Sequence, residues 1–447
     1  MRLVILGGGE SGVGAALLGQ AKGYDVFLSD RSPIKATYLE TLREAGIPFE
    51  EGQHTERLIL NATEVVKSPG IPDTVPLVVQ LKAMGIPVIS EIEFAARYTQ
   101  AKLIGITGSN GKTTTTLLTY HLLKTAGLNV GLAGNIGDSF AKQVINDTFD
   151  YFVLELSSFQ LDSMYATRLD TAILLNITPD HLDRYAYKFQ NYVDSKFRVL
   201  QNLTPADTFI YFQENAPTVQ EIAARKPDVY TVPISLETAT SPGGYAHNGQ
   251  LTTRYRDRSF TIDTASLPLQ GPHNALNMLA AILAAQSVNV PDEAISEGLR
   301  TFRNAAHRME PAGVINGIKF INDSKATNVD SVFYALSSMH APTIWIAGGQ
   351  DKGNDYSQLD EVVGQRVKAL ICLGKDNKKL VDYFNDKVDT IRETQDVTEA
   401  IQLALELGQP GDMAILSPAC ASFDLFKNYE DRGNQFKAAV QALLTNK

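Results

Sequence analysis

The stretch 101–116, AKLIGITGSNGKTTTT, constrains the fold of this chain more than any other. The apolar run 103–106 predicts a buried strand, and Gly108-Ser109-Asn110-Gly111-Lys112-Thr113 follows it. Leu117, Leu118, Leu122 and Leu123 then recur at helical spacing. Strand, glycine-rich loop and helix N-terminus together make an anion site. Backbone N–H groups converge on a phosphate, the helix dipole favours negative charge, and glycine lets the backbone approach closely. Lys112 is placed to reach β- and γ-phosphates, and the Thr113 hydroxyl to hold Mg²⁺. Five residues, rather than the usual four, separate Gly105 from Gly111. The structural alternative is a plain glycine-rich turn between strand and helix.

At about 150 residues per domain, 447 residues predict two to four domains. The 44% hydrophobic and 20% charged content is that of a soluble globular protein. A net charge of −10 argues against a nucleic-acid binder, whose footprint is basic. An anionic substrate must therefore be gathered by local Lys, Arg, Mg²⁺ and helix N-termini. Two cysteines cannot form a disulfide framework, which suits a reducing cytosol. Met1 leads straight into an apolar strand, and no apolar run reaches the roughly 18 residues of a membrane span. A cytoplasmic, soluble protein with no membrane partner is expected.

The N-terminus opens with a short strand into Gly7-Gly8-Gly9-Glu10-Ser11-Gly12, a G-x-G-x-x-G pattern. A second strand ends at Asp30, where a dinucleotide fold places its ribose-contacting acid. Taken alone this says NAD-dependent dehydrogenase, although the same loop can cradle any diphosphate; Glu10 must then point away. Strands into Ser68-Pro69-Gly70 and through 87–89 complete a small doubly wound block to about residue 90. In the second block an apolar strand, 151–156, carries Glu155 and is followed by Ser157-Ser158. An acid at the end of a buried strand beside a P-loop is expected to serve Mg²⁺, or else to form a salt bridge. Another strand, 170–176, runs into Pro179-Asp180-His181, where His181 is a metal candidate or a surface group. Lys196 reads as an ordinary solvated helix lysine. Residues 201 to about 265 predict short strands and turns. Asn274 and Asn277 lie three apart on a helix, able to read a purine or ribose or merely to cap it. From about residue 305 the βαβ pattern returns, with polar loops after each strand, where open α/β sheets bind ligands.

These motifs together resemble the Mur ligases, ATP-dependent amide-forming enzymes of peptidoglycan synthesis. The likeness rests on Gly105–Thr114, Gly134-Asn135-Ile136-Gly137, Glu155-Leu-Ser-Ser, Asn176–His181, Lys196, Gly271–Asn277, His307-Arg308 and Asp323–Asn328, in order. The tail from Leu416 to Gly433 resembles the member that adds D-glutamate. The resemblance implies an α/β fold of three domains. They are a Rossmann-like UDP-substrate domain at 1–90, a central P-loop ATPase-like domain with a parallel or mixed sheet at 91–304, and a Rossmann-like domain at 305–447.

It further implies that ATP phosphorylates the carboxylate of UDP-N-acetylmuramoyl-L-alanine. The D-glutamate amine then attacks the acyl phosphate in a monomeric enzyme whose domains close over the reactants and exclude water. Carried over residue by residue, Gly108, Ser109, Asn110, Gly111, Lys112, Thr113 and Thr114 would hold the phosphates. Thr113, Glu155, His181 and Lys196, the last carbamylated by CO₂, would serve two Mg²⁺ ions. Asn135 would stand near the reacting carboxylate. Asn274, Asn277, Arg308, Asp323 and Lys325 would surround the nucleotide. Ser11, Asp30, Ser68 and Gly70 would hold the UDP end, and Ser157 a further part of the substrate. Thr327, Lys352, Ser422 and Tyr429 would bind D-glutamate. The competing readings are a sister ligase or folate polyglutamylating enzyme, the dehydrogenase above, and a nucleotide-binding regulator or transport ATPase.

Overall fold

The apolar strands form three separate sheets, each drawn from its own stretch of chain. The computed structural model describes residues 1–351 and 353–445. The first sheet contains β1 (Arg2–Leu6), β2 (Asp25–Asp30), β3 (Phe49–Glu51), β4 (Glu64–Lys67) and β5 (Val88–Ile89), in the order β3-β2-β1-β4-β5. All its pairings are parallel. Such strands are apolar on both faces, and Leu3, Val4 and Ile5 are wholly buried. With β2 on one side of β1 and β4 on the other, the winding reverses there. A ligand crevice is expected at the carboxyl ends of β1 and β4.

The second sheet has nine strands: β6 (Lys102–Thr107), β7 (Val130–Gly134), β8 (Tyr151–Glu155), β9 (Thr171–Leu174), β10 (Thr208–Phe212), β11 (Tyr230–Ser235), β12 (Gly243–His247), β13 (Gln250–Tyr255) and β14 (Arg258–Asp263). Their order is β14-β13-β12-β11-β10-β9-β6-β8-β7, antiparallel only at β12-β13-β14. The reversal falls at β6, flanked by β9 and β8, so the glycine-rich loop emerges at the switch point. The third sheet contains β15 (Glu310–Ile315), β16 (Ile318–Asn322), β17 (Thr343–Ala347), β18 (Val367–Leu373), β19 (Ile391–Thr394) and β20 (Met413–Leu416), in the order β15-β16-β20-β17-β18-β19. Only the β15–β16 hairpin is antiparallel.

Two expectations need correction. Residues 201–265 also hold a helix, Ala216–Arg225, capped by the Asn215 side chain and entered through Pro217. The strand expected over 170–176 ends at Leu174. Asn176 leaves the ladder to hold the glycine loop: its O and Oδ1 accept from Ser109 N and Asn110 N.

The chain packs as two compact units, Met1–Pro268 with Ala275–Phe302, and Leu269–Asn274 with Arg303 onward. The first two sheets thus share one unit, and the helix Glu91–Ala96 shows why. Glu93 accepts from the backbone N–H groups of Tyr165, Ala166 and Thr167. Glu91 accepts from Ser139 Oγ and Ala141 N, both at 2.7 Å. Two buried carboxylates on the connecting helix tie the N-terminal block to the central one.

Candidate active site

The helix Lys112–Thr125 begins at Gly111, whose φ of +85° is left-handed. A Cβ there would come within 2.5 Å of Asn277 Oδ1, so geometry and space both demand glycine. Lys112 Nζ arches back to donate to Gly108 O at 2.7 Å and Ser109 O at 2.8 Å. Thr113 and Thr114 are buried in the first turn. Asn277 Oδ1 accepts from Thr115 Oγ1 at 3.1 Å. Asn277 therefore braces the P-loop helix from the side.

Lys196 is not the solvated lysine its helix position allows. It is 1% exposed, and its Nζ donates to Gly108 O at 2.9 Å and Thr107 Oγ1 at 3.1 Å. Burial drives its ammonium well below the usual lysine range, and Lys112 adds repulsion; Asp180, Glu155 and Asp162 pull the other way. Glu155, also 1% exposed, accepts from Asn135 Nδ2 at 2.8 Å through Oε1. Its Oε2 is buried with no hydrogen-bond partner. A buried carboxylate oxygen without a donor is costly, and a hard cation satisfies it. Among the described residues no three His, Cys, Asp or Glu side chains converge as a cage. Mg²⁺ needs none, since it takes one or two protein oxygens plus phosphate and water. The residues present fit Mg²⁺ on these grounds. His181 stands on the outer edge with φ +52°, its ring edge-on to Phe159 and its Nε2 3.6 Å from Asp180.

In the N-terminal block Asp30 closes the glycine loop, accepting from Gly8 N at 2.6 Å and Ser32 N at 2.8 Å. Glu10 is exposed, as a diphosphate-binding loop requires. The Ser68 turn abuts the loop: a Cβ on Gly7 would lie 2.7 Å from Ser68 Cβ. Ser11 is half-buried at the start of the helix Glu10–Ala21. Ser157 is engaged locally, as the N-cap of a capping box with Gln160.

In the second unit Asp323 is buried, accepting from Met309 N and Ser417 Oγ. Desolvation pushes its carboxyl up to about 6, with Arg308 opposing. Arg308 Nε is itself buried without a hydrogen-bond partner. Lys325 Nζ lies 5.4 Å over the Tyr429 ring, and Ser422 is buried. Asn274 Nδ2 donates to Gln270 O at 2.8 Å, at the entry of its helix. Thr327 is half-buried just before the next helix, and Lys352 lies outside the described residues.

Two residues escaped sequence reasoning. Tyr192, on the same helix as Lys196, places its ring 5.3 Å from Lys196 Nζ and its hydroxyl 3.1 Å from Ser109 Oγ. Arg432 is 1% exposed and donates to Ser324 Oγ, Ser324 O, Gly348 O and Cys420 O, joining the loops after β16, β17 and β20. Burial lowers its guanidinium to about 10. An aromatic on a helix and an arginine in a charged tail carry no signal of such burial.

Three family descriptions match the chain: Mur ligase MurD-like N-terminal domain over 1–90, Mur ligase middle domain over 106–285, and Mur ligase glutamate ligase domain over 307–420. A protein of Cytophaga hutchinsonii named UDP-N-acetylmuramoylalanine–D-glutamate ligase is 52% identical, covering 98% of each chain. Proteins of the same name from Porphyromonas gingivalis (98% of each chain) and Bacteroides thetaiotaomicron (99% of this chain, 100% of the other) are each 49% identical. Among solved structures, a pseudomurein peptide ligase type C from Methanothermus fervidus superposes with TM-score 0.64 at 19% identity, over 99% of this chain and 100% of the other. UDP-N-acetylmuramate-alanine ligase from Thermotoga maritima superposes with TM-score 0.61 at 18% identity, over the full length of both. The fold is that of these three-domain α/β ligases, and near-half identity over the whole length extends the relation to the sequence. The chain belongs to the Mur ligase family.

Proposed function

We propose that the chain joins the amine of D-glutamate to the alanyl carboxylate of UDP-N-acetylmuramoyl-L-alanine, through an acyl phosphate made from ATP. One observation carries the phosphoryl-transfer half: the amines of Lys112 and Lys196 meet on the Gly108 carbonyl, in the electrostatic field of Glu155. The choice of D-glutamate rests on the full-length relatives that bear that name. The functional domains are taken as 1–90, 91–304 and 305–447, the reaction as cytoplasmic, where ATP is made and used, and the enzyme as a monomer.

A carboxylate oxygen is a poor leaving group, and phosphorylation corrects that. The loop N–H groups of 108–113 and the Lys112 ammonium stabilise charge on the transferred phosphoryl. Thr113, Glu155 and Lys196 would hold Mg²⁺, which neutralises phosphate charge when bound. His181, at the edge of the same loop, completes the set by resemblance. Asn135 donates to Glu155 Oε1 and, by resemblance, is assigned to the reacting carboxylate. The Lys196 amine, driven toward its neutral form, can add CO₂ with release of a proton, which turns a cation into a carboxylate with two oxygens. Asn274, Asn277, Arg308, Asp323 and Lys325 are assigned to the nucleotide, Ser11, Asp30, Ser68 and Gly70 to the UDP end, and Thr327, Lys352, Ser422 and Tyr429 to D-glutamate. Ser157, which also caps the helix Ser158–Leu161, is assigned to the substrate. The test is phosphate release from ATP with UDP-N-acetylmuramoyl-L-alanine and each of D-glutamate, L-glutamate, D-alanine and L-lysine. Release should require the acceptor and D-glutamate together; equal release with another amino acid would refute the assignment.

A further inference from the structure

Arg184 belongs to the central block, in the short turn Leu182–Tyr185 after His181, yet it reaches the substrate loop of the N-terminal block. Its guanidinium lies 4.3 Å over the Phe159 ring. From there Nη1 donates to Gly70 O at 3.3 Å and Nη2 to Pro69 O at 3.4 Å. Both bonds are longer than the usual 2.9–3.0 Å or so. They engage two of five N–H donors, and Nε donates to no described residue. Stacking holds the planar fork in place before any ligand arrives.

The carbonyls it touches belong to the turn after β4, beside the reversal of winding at β1. The Ser68 end of that turn rests on Gly7 of the glycine loop. A second cation shares the spot. Lys67 is 3% exposed, with Nζ on Ile71 O at 2.7 Å and 3.3 Å from Asp73 Oδ1. Burial pulls the Lys67 ammonium down; Asp73 opposes this with its charge and hydrogen bond but offsets it only in part, and Arg184 and Lys82 add smaller repulsions. Asp162, close enough to feel the charge of Asp73, is pushed toward its neutral form by burial and accepts from Tyr185 Oη. In a chain of net charge −10, this corner gathers positive charge.

We propose that Arg184 is a substrate-positioning residue that binds the diphosphate of the sugar-nucleotide acceptor at the crevice beyond β1 and β4. The geometry fits the planar, bidentate preference of guanidinium for phosphate oxygens. Because the residue sits three positions after His181, a diphosphate held there would also fix the turn at the reacting end. This assignment rests on the proposed acceptor.

The experiment titrates the full-length protein with UDP and with uridine, comparing wild type, Arg184→Ala and Arg184→Lys. Charge-assisted hydrogen bonds of this kind should make UDP bind about tenfold or more weakly to Arg184→Ala. Uridine affinity and the Tm of the unliganded protein should not change, and Arg184→Lys should recover part of the loss. Equal UDP affinity in wild type and Arg184→Ala would overturn the proposal. So would uridine binding weakened as much as UDP binding, which marks Arg184 as a brace only, or a wild-type protein that ignores UDP. Wild-type phosphate release that still needs the UDP-linked acceptor and D-glutamate would leave the ligase reading standing in each of those cases.

Discussion

An ammonium that cannot reach water loses the hydration that keeps it charged, and Lys196 is in that position. Its Nζ faces Gly108 O and Thr107 Oγ1 with Lys112 as a like-charged neighbour. A free amine adds CO₂; an ammonium does not. Lys196→Ala should therefore lose about a hundredfold or more in turnover, the scale of one lost electrostatic stabiliser. Added acetate or formate should restore part of it, whereas chloride at equal ionic strength should not. The check is the ratio of initial rates with and without carboxylate. No rescue, with the variant folded, would make Lys196 a structural hydrogen-bond donor.

At the scale of elements, the helix Glu91–Ala96 matters more than its length suggests. Glu91 is wholly buried, and desolvation pushes its carboxyl up to about 7 from 4.5, with Glu10 adding to the shift and the bonds from Ala141 and Ser139 opposing it. Between those values the unfolded chain has lost the proton that the folded chain keeps. Stability therefore falls as pH rises from about 4.5 to about 7 and is level above, by about 3 kcal/mol for this one group. Glu91→Gln should remove that slope. Urea unfolding of both proteins at pH 5 and pH 8 reads it directly: wild type should lose ground to the variant at pH 8, and parallel values would deny the buried titration.

The sequence marked strands, the two glycine loops and the order of motifs, because period and turn chemistry are local. It hid the helix Ala216–Arg225, whose Asn215-Ala-Pro entry is a cap signal lying among strand-like residues. It also hid what depends on distant partners: the burial of Lys196, the clasp of Glu91 and Glu93, and Arg432 threaded among three loops.

Over the whole molecule, the parallel strands of three sheets run into loops at their carboxyl ends, the places where open α/β sheets bind ligands. Three such sets of loops suit the proposed reaction, in which a sugar nucleotide, ATP and an amino acid must meet without water. Among the described residues no helix is long and apolar enough to cross a membrane. The central claim is that the acceptor carboxylate itself attacks ATP. Acceptor carrying ¹⁸O in both oxygens of its alanyl carboxylate, turned over with ATP and D-glutamate, tests it most directly by mass spectrometry of the released phosphate. One ¹⁸O should appear in each phosphate, because the oxygen that bridged carbonyl and phosphorus leaves with phosphorus. Phosphate released without label would contradict the acyl-phosphate route.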